Sequence, residues 1–322
     1  LADKTVTVKP SGGTYTTLQD AITGEVTANA NLVTMGGILT ISIEGDWSAG
    51  ADTTAVTVNG FTTSDTCYLK ILTNSANRAK ASGWDTGRYI LNGGASYALN
   101  VYDNHVWIDG LQITANDTKY GVNVANIAAG AWLRVSNCRM QSSYGVVLAD
   151  ADETAYIWNC IFSGNNRGVY AFAAATSYIF NCTKSGGVTD GFEFDAGTHS
   201  VKNCAVFNNA DDFDTTGATV TIDYCATDDG DGTNGQDFTA EATDWNKVFT
   251  DYANGDFTLK DYTTAPCCVG NGTDDPGAGL YSDDITGTAR TSPWDIGAHE
   301  YAAAGGLSIT VAMAHYERLH RQ

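Results

Sequence analysis

Positive charge is what this sequence has least of. Seventeen Lys and Arg stand against 37 Asp and Glu, a formal net charge of -20 over 322 residues. A field of that sign repels phosphate backbones and anionic bilayers, so nucleic acid and anionic membrane surfaces are excluded as general partners. No apolar run approaches the ~18 residues of a transmembrane helix, so no membrane span is expected. The five histidines, His105, His199, His299, His315 and His320, fall at no metal-binding spacing. A Ser/His/Asp arrangement and a phosphate-binding loop are also missing. Proline is scarce at 4, whereas Gly reaches 35. With Thr, Val, Ile, Tyr and Asn filling the middle, this composition favours strands joined by tight turns.

Cysteine is sparse too, at 8, but five are evenly placed. Asn137-Cys138, Asn159-Cys160, Asn181-Cys182 and Asn203-Cys204 recur at steps of 22, and Cys225 follows 21 later behind Tyr224. Self-similarity at such a period marks a solenoid. Three residues before each Cys stand Val135, Ile157, Ile179, Val201 and Ile222; two after stand Met140, Phe162, Lys184, Val206 and Thr227. Inward positions at -3 and 0 break the alternation of a strand, so a corner must intervene. Asn suits that corner because it tolerates the left-handed backbone, and stacked asparagines form a hydrogen-bonded ladder. Each Cys then points inward as a small apolar filler, neither disulfide partner nor metal ligand.

A second row, Gly121, Gly145, Gly168 and Gly191, is followed by apolar residues at one and three positions beyond, the signature of a strand with one buried face. The Leu-x-Leu core of leucine-rich repeats, the rival solenoid of this period, is absent. On the Asn-Cys rows the sequence resembles right-handed parallel β-helix proteins of the pectate-lyase-like superfamily, of the secreted bacterial or phage virion and tailspike type. "GGTYTTLQDAIT" (12–23) is similar to their entry segment, with Thr16 or Thr17 capping a helix whose Leu18, Ala21 and Ile22 cover the open end. The stretch 254–301 is similar to their last coil and C-terminal cap, departing at Cys267-Cys268, either a vicinal disulfide or two packed thiols.

The expected fold is therefore all-β, a single-stranded right-handed parallel β-helix of about 22 residues per turn with a short N-terminal helical cap. Residues 1–45 form the N-terminal strand and cap, 46–250 the β-helix, 251–304 the last coil and C-terminal cap, and 305–322 an assembly tail. In the tail, Leu307, Ile309, Val311 and Met313 alternate like a strand behind a Gly305-Gly306 hinge.

Two outward surfaces carry chemistry. Tyr156, Trp158, Tyr178 and Phe180 fall on adjacent rungs as an aromatic patch, open to three readings: cover by a loop or cap, a subunit interface, or a sugar-stacking surface. Aligning Phe213 with Phe192 crowds Asp190, Glu193, Asp195, Asp211, Asp212 and Asp214 onto two neighbouring turns. That crowd reads as a solvated acidic face, a Ca2+ site, or a carboxylate pair for glycoside hydrolysis. If the protein is an enzyme, the catalytic candidates are Glu193, Asp195, Asp212 and Asp214, with Lys184, Arg167 or Lys202 as the base a lyase needs. "DDGDGTNGQD" (228–237) lacks the Gly and closing Glu of an EF-hand and leaves Asp229, Asp231 and Asp237 as weak Ca2+ ligands.

Two functional classes follow. The first is an extracellular, cell-surface or virion structural protein (coat, filament, decoration or appendage) that oligomerises through its tail and aromatic patch and recognises glycans. The alternative is a polysaccharide lyase or glycoside hydrolase resembling pectate lyases or tailspike depolymerases. No cofactor is expected except Ca2+.

Overall fold

A computed structural model describes residues 3–239 and 245–302; the expected assembly tail, 305–322, lies outside the described residues. Three parallel sheets build the body of the described chain. Sheet A has nine strands, from Lys4–Val8 to Thr219–Asp223; sheet B has eight, from Ile90–Asn92 to Gln236–Asp237; sheet C has seven, from Val56–Val58 to Asp211–Asp214. One coil visits them in that order: Trp132–Ser136 in A, Arg139–Gln141 in B and Tyr144–Leu148 in C. The chain then re-enters A as Thr154–Trp158, paired in parallel with the strand one coil earlier, Val135 opposite Ile157. This is a right-handed parallel β-helix, and no described helix is long and apolar enough to cross a membrane.

The two-residue corner between A and B is the repeating device. Asn137, Asn159, Asn181 and Asn203 all take left-handed backbone, φ from 48 to 55°, as does Tyr224. In the earlier coil Gly110 holds the same corner with φ 84°. Asn accepts this conformation more readily than other side-chain-bearing residues, which is why the rung repeats it. The following residue turns into the lumen: Cys138, Cys160, Cys182, Cys204 and Cys225 are free, buried thiols. Each Sγ donates back to the carbonyl two residues earlier, for example Cys160 to Trp158 O at 3.3 Å. Burial pushes the first four thiols well above their ordinary value, as expected of inert filler.

The asparagine row is not the uninterrupted ladder that stacking alone predicts. Asn159 Nδ2 donates to Asn137 Oδ1 (3.1 Å) and Asn203 Nδ2 to Asn181 Oδ1 (3.4 Å). Asn137 Nδ2 donates to Asp109 Oδ1, and the remaining capacity of the other three is taken by the C-terminal segment 267–301. Asn159 donates to Asp283 O and accepts from Arg290; Asn181 donates to Asp295 O and accepts from Tyr281 Oη. Arg290 also pairs with Glu300 in a buried ion pair of 3.2 Å. In this segment Cys267 and Cys268 are free thiols, not a vicinal disulfide.

At the other end, helix α1 (Leu18–Asn29) closes the coil. Thr17 Oγ1 accepts from Asp20 N, and Leu18, Ala21 and Ile22 are buried on the open end. One interior carboxylate makes the core sensitive to alkali. Glu153 is buried, and burial pushes its carboxyl up to about 9. The folded chain thus holds a proton that the unfolded chain releases above 4.5. Stability from this proton is complete below pH 4.5 and is lost as pH rises through about 9. Glu153→Gln is therefore expected to raise the urea midpoint more at pH 8 than at pH 5; an equal shift at both would remove Glu153 as the source.

Candidate functional site

Sheet C presents a face on which polar, charged and aromatic groups converge. The residue just before each glycine of the second row forms one outward column: Tyr120 opposite Tyr144, Tyr144 opposite Arg167, then Asp190 opposite Asp211. A second column, three residues on, runs Asn123, Val147, Tyr170, Glu193 and Asp214. Parallel in-register pairing stacks like on like at ~4.8 Å, so each column is a ladder whose chemistry changes along the solenoid.

The early rungs are aromatic. Tyr97 and Tyr120 stack face to face at 4.3 Å, Tyr144 meets Tyr120 edge-on at 5.1 Å, and Tyr170 stacks on Tyr144 at 5.7 Å. Arg167 is the junction. Its guanidinium lies 5.4 and 5.0 Å from the rings of Tyr144 and Tyr170, and it pairs with Asp190 (3.2 Å) and Glu193. Tyr170 Oη donates to Asp195 at 2.9 Å; burial, reinforced by this bond, pushes the phenol up to about 12.

The later rungs are acidic. Carboxylate oxygens of Asp190, Glu193 and Asp214 lie within 4.8 Å of one another, and those of Asp211, Asp229 and Asp231 form a second trio at the same spacing. Asp211 feels members of both trios, and burial with that repulsion raises its carboxyl. Burial and the neighbouring Asp229 and Asp211 push Asp231 up to about 6. Asp214 goes the other way, because the backbone and side chain of Thr216 donate to its carboxylate. Like charges this close are relieved by a proton or by a bound cation, and three carboxylates suit a hard divalent ion.

Of the catalytic candidates, Glu193, Asp214 and Arg167 come together here, with Asp195 adjoining through Tyr170. Three others do not join them. Asp212 is 1% exposed. Its oxygens accept from Asn209 Nδ2 (2.9 Å) and Asp228 N (3.0 Å), tying the last rungs together beneath the face. Burial pushes this carboxyl up to about 9. Lys184 is fully buried in the lumen, where Nζ donates to Asn165 O, Gly186 O and Asn209 Oδ1. Burial lowers it to about 7, yet no solvent path reaches it as a base for an external substrate. Lys202 belongs to sheet A, opposite Phe180 and Asp223. Among the weak Ca2+ candidates, Asp229 and Asp231 join Asp211, whereas Asp237 caps its own turn at Thr239 N. The tyrosine ladder was missed in the sequence, although its signal, an aromatic residue before Gly121 and Gly145, stands in the glycine row.

The aromatic patch on sheet A is half as open as its pattern implies. Trp158 and Phe180 are 2% and 4% exposed, covered by Tyr281 and Trp294 of the C-terminal segment. They are therefore part of the interior, not a ligand surface. Tyr156 and Tyr178 remain half-buried and stack at 5.1 Å.

No family model matches the sequence, and no curated protein matches it. Two solved structures are similar. One is the pectin methylesterase from Aspergillus niger, at 14% identity and a TM-score of 0.44, covering 71% of this chain and 82% of that one. The other is the pectate lyase Pel9A, also at 14% and 0.44, covering 94% of this chain and 98% of that one.

Proposed function

We propose that this is a glycan-recognising surface protein of extracellular or virion type, whose sheet C face grips an anionic polysaccharide through a divalent cation such as Ca2+. One observation carries the reading: within neighbouring rungs, a face of stacked tyrosines passes through a single arginine into two carboxylate trios. Tyrosine faces stack on sugar rings, and a cation held by the trios would bridge the acidic protein to sugar carboxylates that its own charge would otherwise repel. Oligomerisation through residues 305–322 belongs to the same proposal. Light scattering of the full chain beside a chain ending at Tyr301 tests it; equal masses would remove it.

Cleavage is the second reading, favoured by the convergence of the Asp190, Glu193 and Asp214 carboxylates within 4.8 Å on this face. Arg167 is already paired with Asp190 and Glu193, which leaves it poorly placed as a lyase base. Equilibrium binding of polygalacturonate with Ca2+ or with EDTA, alongside an assay for new chain ends, separates the readings. Binding that needs Ca2+ and fails in Tyr170→Ala, without new ends, supports recognition. New ends that vanish in Asp214→Asn would replace it with hydrolysis or elimination.

The acidic trio also sets a pH dependence. Below about 6 Asp231 holds a proton and is lost as a ligand. Ca2+ affinity, read by calorimetry, is thus expected to fall severalfold from pH 7 to pH 5, and Asp231→Asn should flatten that dependence while lowering affinity at pH 7. An unchanged profile in the variant would exclude this trio.

A further inference from the structure

A second groove lies around the corner from the acidic face. It encloses about 750 Å³ between the outer edge of sheet B and the C-terminal hairpin Phe249–Asp251/Asp256–Leu259. Its floor is one in-register column, Thr114, Gln141, Ser163 and Ser185, flanked by Ser142, Gly164, Gly186 and Asn208 of the next turn. The opposite wall is Tyr252, Ala253, Asn254 and Gly255. That wall is anchored from inside the fold: fully buried Arg139 donates to Gly255 O (2.6 Å), and to Lys80 O and Ala81 O. Tyr252 packs edge-on against Phe207, the next residue in the column, which is buried under Trp245 and ends the polar floor.

We infer that this groove is a binding site for a neutral, linear oligosaccharide, separate from the acidic face and independent of any cation. Asp117 is the single ionisable acid or base among the lining residues, apart from the phenol of Tyr252, so nothing there attracts a charged polymer. What the lining offers instead is hydroxyl and carboxamide groups from Ser, Thr, Asn and Gln, repeated rung by rung. Carboxamides pair with adjacent sugar hydroxyls as donor and acceptor at once, and Tyr252 supplies an aromatic edge at the end. The four polar rungs from Thr114 to Ser185 span roughly 14 Å at ~4.8 Å each, and one rung is about the advance of one sugar in an extended glycan. A periodic ligand thus meets the same chemistry at each step, as a folded peptide or small metabolite would not.

Calorimetric titration with neutral hexasaccharides of glucose, mannose and galactose, in EDTA, tests the site; hexagalacturonate serves as the charged comparison. At least one neutral hexasaccharide is expected to bind with Kd below ~1 mM. Gln141 on the floor and Asn254 on the opposite wall are both exposed, so both Gln141→Arg and Asn254→Trp should fold as judged by circular dichroism. Each is expected to weaken that binding at least tenfold, while Tyr170→Ala on sheet C leaves it unchanged. Failure of every neutral hexasaccharide, or binding that survives both groove variants, or loss of binding in Tyr170→Ala, would overturn the inference. Because the titration excludes divalent cations, its result is independent of the proposal for the acidic face.

Discussion

Arg290→Ala is expected to cost about 3–5 kcal/mol of folding stability, the range for breaking a buried ion pair from one side. Glu300 would be left buried without its ion-pair partner, while Asn159 Oδ1, Asp283 O, Asp295 O and Gly297 O lose a donor. The loss should begin locally. The segment that Arg290 holds is the one covering Trp158 and Phe180, so tryptophan emission is expected to shift to the red at denaturant concentrations where the far-ultraviolet β signal is intact. Arg290→Lys keeps the charge but not the fork that reaches five acceptors, and should recover only part of the loss. Coincident fluorescence and circular dichroism transitions in Arg290→Ala would show that the cap does not come away first.

Lys184→Ala should be comparably damaging, at about 3–5 kcal/mol, and for a different reason. The alanine leaves a void in the lumen and three acceptors, Asn165 O, Gly186 O and Asn209 Oδ1, without their donor. Urea denaturation measures this directly. The same substitution also separates structure from chemistry. If any cleavage activity is found, the folded fraction of Lys184→Ala should retain it, because the amine is sealed in the lumen. A folded but inactive Lys184→Ala would reverse that placement.

The repeat was legible because its signals are local. Asn at a left-handed corner and Cys one position later need only the rung itself, and the register they imply, Val135 opposite Ile157 and Phe192 opposite Phe213, is the register observed. That register in turn grouped Asp190, Glu193 and Asp214. Failures came where a distant segment or the start of a strand decides. Tyr281 and Trp294, more than 100 residues from Trp158 and Phe180, carry no period that would announce them as a cover. Asp212 faces inward because strict alternation fails at the first residues of its strand, beside the corner. Lys184 sat in an inward row, but only the three acceptors around it explain how a lysine can occupy such a position. The neutral groove was invisible because half of it is the hairpin at 249–259, brought to sheet B by the buried Arg139.

The C-terminal segment also alters how the solenoid would respond to mechanical load. Coils that touch only their neighbours behave as links in series, and a pull along the axis peels them one at a time. Here a strap runs back over several links: Arg78 Nε donates to Ile285 O, and Asn159, Asn181 and Asn203 bond to residues 273–297. The spanned coils are thereby coupled in parallel with the strap, and tension is shared among them. Such a segment is expected to yield in one large step instead of a sawtooth.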